Sequence, residues 1–344
     1  MKLLLPLLIL PLLTFSQTIQ EQIDNATEGS ILNIASGSYY ETISIEKSIT
    51  LNCANNCIID ASGFSGGISI TASNVTIDGF EIIGDENTTY GVVITPTCSD
   101  INIINNTIHG MSLPNAGNTS PLSYGILAYG NSIIEVPTNL NFVNNYIFNI
   151  AGSGISLGSF TGNVNIENNT ISDLNPVILL GEDFNVGIQA QASEYVTIVN
   201  NDFINLLLGS NLIFTSGEIQ DNNYSNTSAF LSHTTLASIT FEDEVDWWSV
   251  DGTIEYLGVN FDITSYFNSL ANAIIIASQN ESNILGSDGV IYDFEGNIIS
   301  TIELPTINKN LITTIEILGR YTNQQGFQLH IYDDGSVEKK YLVK

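Results

Sequence analysis

One motif limits what this chain can fold into, because it recurs with a constant interior and a variable spacing. NVNIENNTISDL at residues 163–174 has near-copies in INIINNTIHGM, beginning at Ile101, and YVTIVNNDFINL, beginning at Tyr195. Related segments begin at Thr76, Asn141 and Glu218. At the first Asn the copies fall at Asn105, Asn144, Asn168, Asn200 and, as Asp, at Asp221, with steps of between 21 and 39 residues. A Gly-plus-apolar motif precedes the copies: Gly67-Ile68, Gly91-Val92, Gly125-Ile126, Gly154-Ile155 and Gly187-Ile188. Within each copy apolar and polar residues alternate, which is the period of a strand. Short β-branched strands repeated at this interval are the signature of a solenoid. Stacked as rungs ~4.8 Å apart, they form a parallel β-helix in which each rung buries its apolar face on the next.

Such a helix must turn a sharp corner at the same place in every rung. Asn tolerates the left-handed backbone that a sharp corner needs, and stacked amides hydrogen-bond along a column. Asn105, Asn144, Asn168 and Asn200 are therefore read as structural turn residues rather than ligands. Ahead of the repeats, Thr18 and Glu21 make a capping box, and Ile19 and Ile23 lie one helical turn apart. A short helix at about residues 18–26 is expected to cover the open N-terminal end.

GSILNIASGSYYETISIEKSITL, then CIIDASG, then GISITASNVTIDGFEIIG resemble the opening of right-handed parallel β-helix proteins of the pectin-lyase-like superfamily. The resemblance covers about residues 25–224. It implies an all-β, right-handed parallel β-helix, and it is specific for fold rather than activity. The superfamily holds polysaccharide lyases, hydrolases, esterases and epimerases, and also binding and structural members.

The charge balance narrows these activities. The chain carries 7 Lys+Arg against 36 Asp+Glu. Between Lys47 and Lys309, 261 residues contain no Lys or Arg but 27 Asp and Glu. Nucleic acid is excluded as a partner, because its binding depends on basic side chains releasing counterions. Anionic lipid and uncomplexed anionic polysaccharide are repelled as well. Lyases and esterases of the superfamily use a cationic Lys or Arg, and the repeat region lacks one beyond Lys47. Hydrolysis by two carboxylates ~5–9.5 Å apart remains possible chemically. The aligned columns Glu81, Thr107, Tyr146, Thr170, Asp202 and Asp78, Ile104, Val143, Glu167, Val199 put no two acids in neighbouring rungs. The catalytic candidates are His109 (the one His of the repeats), Asp173, Glu182 and Asp183.

Three insertions lengthen the period: residues 111–125, 129–139 and 174–187. Projecting from one side, they would wall a groove lined by Tyr124, Tyr129, Tyr146 and Phe184, with Glu182 and Asp183. The aromatics would stack on sugar rings, and the acids would bind hydroxyls or calcium, the one cofactor this composition suggests. The acidic stretch Glu242, Asp243, Glu244, Asp246 beside Trp247 and Trp248 reads either as a metal or sugar platform or as a solvated junction. Cys53 and Cys57, spaced C-x3-C, either close a small local disulfide loop, leaving Cys98 odd, or are small buried apolar residues like Cys98.

MKLLLPLLILPLLTFSQ at the N-terminus is a Lys followed by an apolar run from Leu3 to Leu13. That is too short to span a bilayer, which takes ~20 residues, and suits a signal peptide with cleavage near Ser16/Gln17. No transmembrane segment is expected after its removal. At the other end, GVIYDFEGNIIS and GFQLHIYDDGSVEKKYLVK carry hairpin signals. They resemble the type IX secretion sorting domain of Bacteroidetes, with the basic ending Lys339, Lys340 and Lys344, though no Asn-Pro opens the region. That resemblance implies the secretion machinery as a partner. The expected organisation is a signal peptide over residues 1–17, a β-helix over 18–240 and a small antiparallel, sandwich-like β-domain over 250–344. The expected function is a secreted or cell-surface module that binds extracellular carbohydrate, or acts in adhesion, without catalysis. The alternative is a polysaccharide-degrading enzyme, a hydrolase before a lyase.

Overall fold

The computed structural model describes residues 17–112, 122–179, 182–235, 238–243, 245–256 and 259–301, with strands at 311–316, 326–332 and 337–342. The expected signal segment thus falls outside the described residues, apart from Gln17. From Ser30 to Thr234 the chain winds as a right-handed parallel β-helix. A typical rung has three strands. Ser99–Ile104 forms a first arm, Thr107–His109 a second arm after the Asn-Asn corner, and Ser123–Ala128 a wall that closes the triangle. The next rung repeats it with Thr138–Val143, Tyr146–Phe148 and Gly152–Leu157, all paired parallel and in register.

The period of two resolves into columns that face inward, at least one from each strand of the rung. The first arms stack Ile77, Ile103, Phe142, Ile166, Ile198 and Ile219, all fully buried. The second arms contribute Ile82, Ile108, Ile147, Ile171 and Phe203, and the wall contributes Ile68, Val92, Ile126, Ile155 and Ile188. Apolar residues of similar type at one height on successive rungs make the core a set of continuous apolar rows. Burying each such side chain contributes about 1.5–3 kcal/mol relative to exposure.

The glycine of the second repeat motif acquires a role here. It stands where the wall meets the second arm, and a Cβ there would strike the inner row. A Cβ on Gly91 would lie 2.4 Å from Cγ2 of Ile108, on Gly125 2.6 Å from Cγ2 of Ile147, and on Gly154 2.6 Å from Cγ2 of Ile171. Each would also press on the backbone oxygen of the next rung's glycine or its equivalent, at 2.5–2.9 Å along the column. The triangle therefore closes at this vertex only with no side chain present.

The two Asn of the other motif divide the work of the opposite corner. The first bends the chain: Asn105, Asn144, Asn168, Asn200 and Asp221 have φ of 55–57°, and Gly79, with φ of 82°, bends an earlier rung. The second is buried and bonds along the axis. Oδ1 of Asn145 accepts from both N and Nδ2 of Asn106 (3.1 and 3.2 Å). Oδ1 of Asn169 accepts likewise from Asn145 (both 2.9 Å), and Oδ1 of Asn201 from Asn169 (2.9 and 3.0 Å). Each Nδ2 also donates back to a carbonyl of the preceding rung, as Asn145 does to Ile103 at 2.8 Å. Every backbone N–H that the turn exposes is thereby satisfied inside the core.

Both open ends are covered. The helix Ile19–Asn25 starts at Thr18, whose hydroxyl accepts from the Glu21 N–H while the Glu21 carboxylate accepts from the Thr18 N–H. It presses Ile19 and Ile23, both essentially buried, onto the first rung. The Glu41 carboxylate accepts from the N–H of Ile19 and of Gln20 at 2.8 and 3.0 Å, tying the helix to the second arm. At the far end the antiparallel hairpin Trp248–Tyr256 and Val259–Phe267 pairs with the last wall strand, Ala229–Thr234, and the helix Leu270–Asn280 packs beside it. The last wall strand is thereby paired rather than left as an open edge. The chain divides by contacts into residues 1–299 and 300–344. The second unit contains Leu311–Glu316, Gly326–Tyr332 and Val337–Leu342 as one antiparallel sheet, and Lys344 lies outside the described residues.

Two substitutions test these columns. Asn169→Ala strips the buried N–H and Nδ2 of Asn145 of their acceptor, and should cost about 2–4 kcal/mol in denaturant unfolding. Gly125→Ala overfills the vertex at an ordinary φ and should cost about 1–3 kcal/mol. A loss under 0.5 kcal/mol in either, roughly the surface-substitution range, would contradict the role given to that column.

Candidate functional site

The three insertions leave the helix from two corners, not one. Residues 111–122 and 174–185 emerge where the second arm passes into the wall, whereas 129–137 emerges where the wall passes into the first arm. The first of these lies largely outside the described residues. The third folds back as the hairpin Val177–Leu179 and Glu182–Phe184. Nδ2 of Asn185 pins its base by donating to the carbonyl of Leu174 at 2.6 Å. Glu182 and Asp183 stand on the returning strand, opposite Leu179 and Ile178, and Phe184 is half-buried opposite Val177.

Of the candidates read from sequence, the structure brings together His109 and Tyr146, with two further residues. On the solvent face of the second arms, register sets His109 beside Phe148 of the next rung. The rings stack with centroids 4.6 Å apart and planes 14° apart. Tyr146, two residues before Phe148 and so on the same face, also stacks on it at 4.6 Å. Nε2 of His109 lies 3.1 Å from Oε1 of Glu81 in the preceding rung. The result is a ledge of three rings, its outer member Tyr146 42% exposed. It is flanked in the same columns by Thr107, Thr170 and Asp202. With the rings stacked on one another, the outer one, Tyr146, is the ring presented to a ligand, rimmed by hydroxyls and carboxylates. The sheet holds the ring positions firmly, because each backbone is hydrogen-bonded on both sides.

The other candidates lie elsewhere. Asp173 has φ of 49° and its Oδ1 accepts from Nδ2 of Asn205 at 2.6 Å, so it serves a corner. His109 bonds away from it, toward Glu81. Tyr124 heads a wall strand next to Tyr90 in register, and burial pushes both phenols up, with Tyr129 adding to the effect at Tyr90. Cys53 and Cys57 are joined in a disulfide, and Cys98 is a buried free thiol that burial pushes up. Among the described residues no cluster of three or more His, Cys, Asp or Glu could hold a metal.

Two adjoining hollows line the first-arm side. One, of about 460 Å³, is bounded by Ile133, Val136, Asn139, Asn163 and Tyr195. The other, of about 560 Å³, is bounded by Thr197, Glu218 and Thr240. Glu194 and Tyr195 belong to both, so the two form one groove along several rungs. Sequence reading passed over it, because its residues are spread over five copies and only their register unites them.

Sequence reading also took Asp243 only as one member of an acidic stretch. The parallel rungs continue through Ile239–Phe241, which brings Asp243 to the end of the buried Asn row. Its Oδ1 accepts from N and Nδ2 of Asn222 at 2.8 and 3.2 Å, as an Asn would. Its Oδ2 accepts from the Tyr224 hydroxyl at 2.5 Å. Burial raises the Asp243 carboxyl above its ordinary range, against these hydrogen bonds. Burial, and then the Asp243 charge, raise the Tyr224 phenol well above its own. The acidic stretch thus gives its buried member to the core.

A family model described as "Right handed beta helix region" matches residues 19–171. A "Cell surface glycoprotein" of Methanothermus fervidus is 43% identical over 98 residues, 28% of this chain and 16% of that protein. The chain therefore spans under a fifth of that relative's length. A solved structure titled Geobacillus virus E2 ORF18 is similar over 94% of this chain and 82% of its own, with 12% identity and a TM-score of 0.32.

The Asp243 carboxyl supplies a pH test. Its pKa is raised on folding, so its contribution to stability is present at low pH and is lost as pH rises from about 4, the ordinary Asp value, through its folded pKa. Asp243→Asn keeps the acceptor for Asn222 and removes the charge. The stability difference between variant and native chain should grow in favour of Asn across that interval, then level off. A difference independent of pH, followed by denaturant unfolding between about pH 3.5 and 8, would rule out a raised carboxyl.

Proposed function

We propose that the chain is an exported, cell-surface β-helix module that binds extracellular carbohydrate without cleaving it. The observation that carries this reading is the ledge of His109, Phe148 and Tyr146. Aromatic faces of this kind cover the apolar side of a sugar ring, while Thr107, Thr170 and Glu81 offer hydroxyl and carboxylate partners. Sugar binding is preferred to hydrolysis because the acids in the column that carries Tyr146 are far apart. Glu81 and Asp202 are separated by four rungs in register, ~19 Å at ~4.8 Å per rung. That exceeds the ~9.5 Å limit for a hydrolytic carboxylate pair.

Surface location draws on the name of the Methanothermus fervidus relative and on the short apolar run at the N-terminus. The C-terminal sheet, with Lys339 and Lys340 on its last strand, is assigned to export as an address for secretion machinery. The acidic body favours neutral glycans over anionic ones, unless calcium neutralises the latter.

The test is retention of the full exported chain on a panel of neutral and acidic polysaccharides, with and without calcium, while new reducing ends are assayed in the same tubes. Retention on a neutral polymer without new ends is expected. Paired Tyr146→Ala and Phe148→Ala changes should weaken a soluble fragment of that polymer about tenfold at the ledge, as the loss of an aromatic contact implies. New reducing ends would establish a polysaccharide-degrading enzyme instead. No retention on any polymer would remove carbohydrate as the ligand.

A further inference from the structure

Besides the buried Asn row, two rows of side-chain amides run along the outside of the first arms. In one, Nδ2 of Asn139 donates to Oδ1 of Asp100 at 3.1 Å, and Nδ2 of Asn163 to Oδ1 of Asn139 at 2.6 Å. In the other, Asn102 donates to the Thr76 hydroxyl, Asn141 to Oδ1 of Asn102 and Asn165 to Oδ1 of Asn141, at 3.2, 3.3 and 2.9 Å. Every amide donates toward the N-terminal end, so every oxygen waits for a donor from the following rung. Both rows stop at the same rung. Register puts Tyr195 after Asn163 and Thr197 after Asn165. Among the described residues nothing donates to Oδ1 of Asn163 or of Asn165.

Tyr195 keeps the backbone of the Asn it replaces, with φ of 56°. That conformation is uncommon for a ring-bearing residue and natural for Asn. Its side chain is 72% exposed and borders both hollows of the groove. Stability alone would favour an Asn here, which would continue the row.

We propose that this break is a second carbohydrate site, in which a neutral, hydroxyl-rich oligosaccharide stacks on Tyr195 and its hydroxyls donate to Oδ1 of Asn163 and to Glu194 and Glu218. The polar groups that face the groove from the broken rows are acceptors, so the ligand must bring donors. No Lys or Arg lies between residues 48 and 308 to hold an anion. The exposed ring, with Ile133 across the groove at 78% exposure, requires an apolar face on the same ligand. A sugar ring combines the two; a bare cation has only the first. The site rests on the reading of the chain as a glycan binder, but not on the ledge, which occupies a different face.

The decisive variant is Tyr195→Asn, which repairs the row and removes the ring. The full chain is titrated calorimetrically with soluble fragments of whichever neutral polysaccharides retain it. The native chain should take two equivalents, and Tyr195→Asn one. It should also melt no lower than the native chain, so the loss is not unfolding. Tyr195→Phe should keep both sites. The Tyr146→Ala, Phe148→Ala chain should keep the Tyr195-dependent equivalent, which high salt should leave unweakened; weakening by salt would mean a cation site and overturn the assignment. Equal stoichiometry in native and Tyr195→Asn chains would overturn the second site and leave the ledge standing. One equivalent bound by the native chain and none by Tyr195→Asn would keep this site and dismiss the ledge. No binding by any fragment would dismiss both.

Discussion

The buried Asn row is the interaction on which the remaining architecture depends. A rung of a β-helix must reverse direction within a few residues, and the reversal leaves backbone N–H groups facing the core. Water cannot reach them there, and an unpaired buried N–H costs about 1–3 kcal/mol. Asn meets the need because one amide accepts from the rung before it through Oδ1 and donates through Nδ2 to a carbonyl of that rung and to the rung after. The first Asn of each pair supplies the left-handed bend that brings the second into place. The corner is thus a polar column inside an apolar core, and it stays inexpensive only while every member has its partner. Asp243 shows how such a column can end. A carboxylate accepts from Asn222 as Asn would, and its second oxygen is met by a tyrosine hydroxyl rather than by a further rung.

The glycine column is the complementary constraint at another vertex. There the wall and the second arm come so close that a Cβ would meet Ile108, Ile147 or Ile171. One vertex is fixed by amides that must be present and another by side chains that must be absent. Between them the inner rows have little choice but Ile, Val, Leu or Phe. Outward positions carry no such demand, and the insertions leave from vertices where neither column is interrupted.

This division explains what could be read from sequence. The repeats are legible because the inward columns and the corners impose the same residue type in every rung, and the capping box at Thr18 and Glu21 is a local pattern. Both Asn of each pair look alike in the chain; only burial separates the bend at Asn105 from the row member Asn106. Glycines at 67, 91 and 125 are visible as a column, but the reason for them is a contact with Ile82, Ile108 and Ile147 on a later strand. The ledge was half visible. His109 and Tyr146 stand out by type, whereas Phe148 completes them only through the register of neighbouring rungs. Asp243 was obscured by the acids around it, since a short acidic run gives no sign that one member is turned inward. The groove was the least legible feature, being assembled from isolated residues of five rungs.

A solenoid of this kind marks its functional surface by interruption rather than by motif. Its outer amide rows are favourable wherever they continue, because each added Asn completes the acceptor of the one before. Ending both rows at the same rung leaves Asn163 and Asn165 with open acceptors, and placing a tyrosine at φ of 56° sacrifices a conformational preference as well. Neither feature helps the fold. Residues that break a local rule without a structural return are where selection for something other than stability is to be sought. In this chain the end of both amide rows and the left-handed Tyr195 coincide on one rung, beside a groove that holds no Lys or Arg.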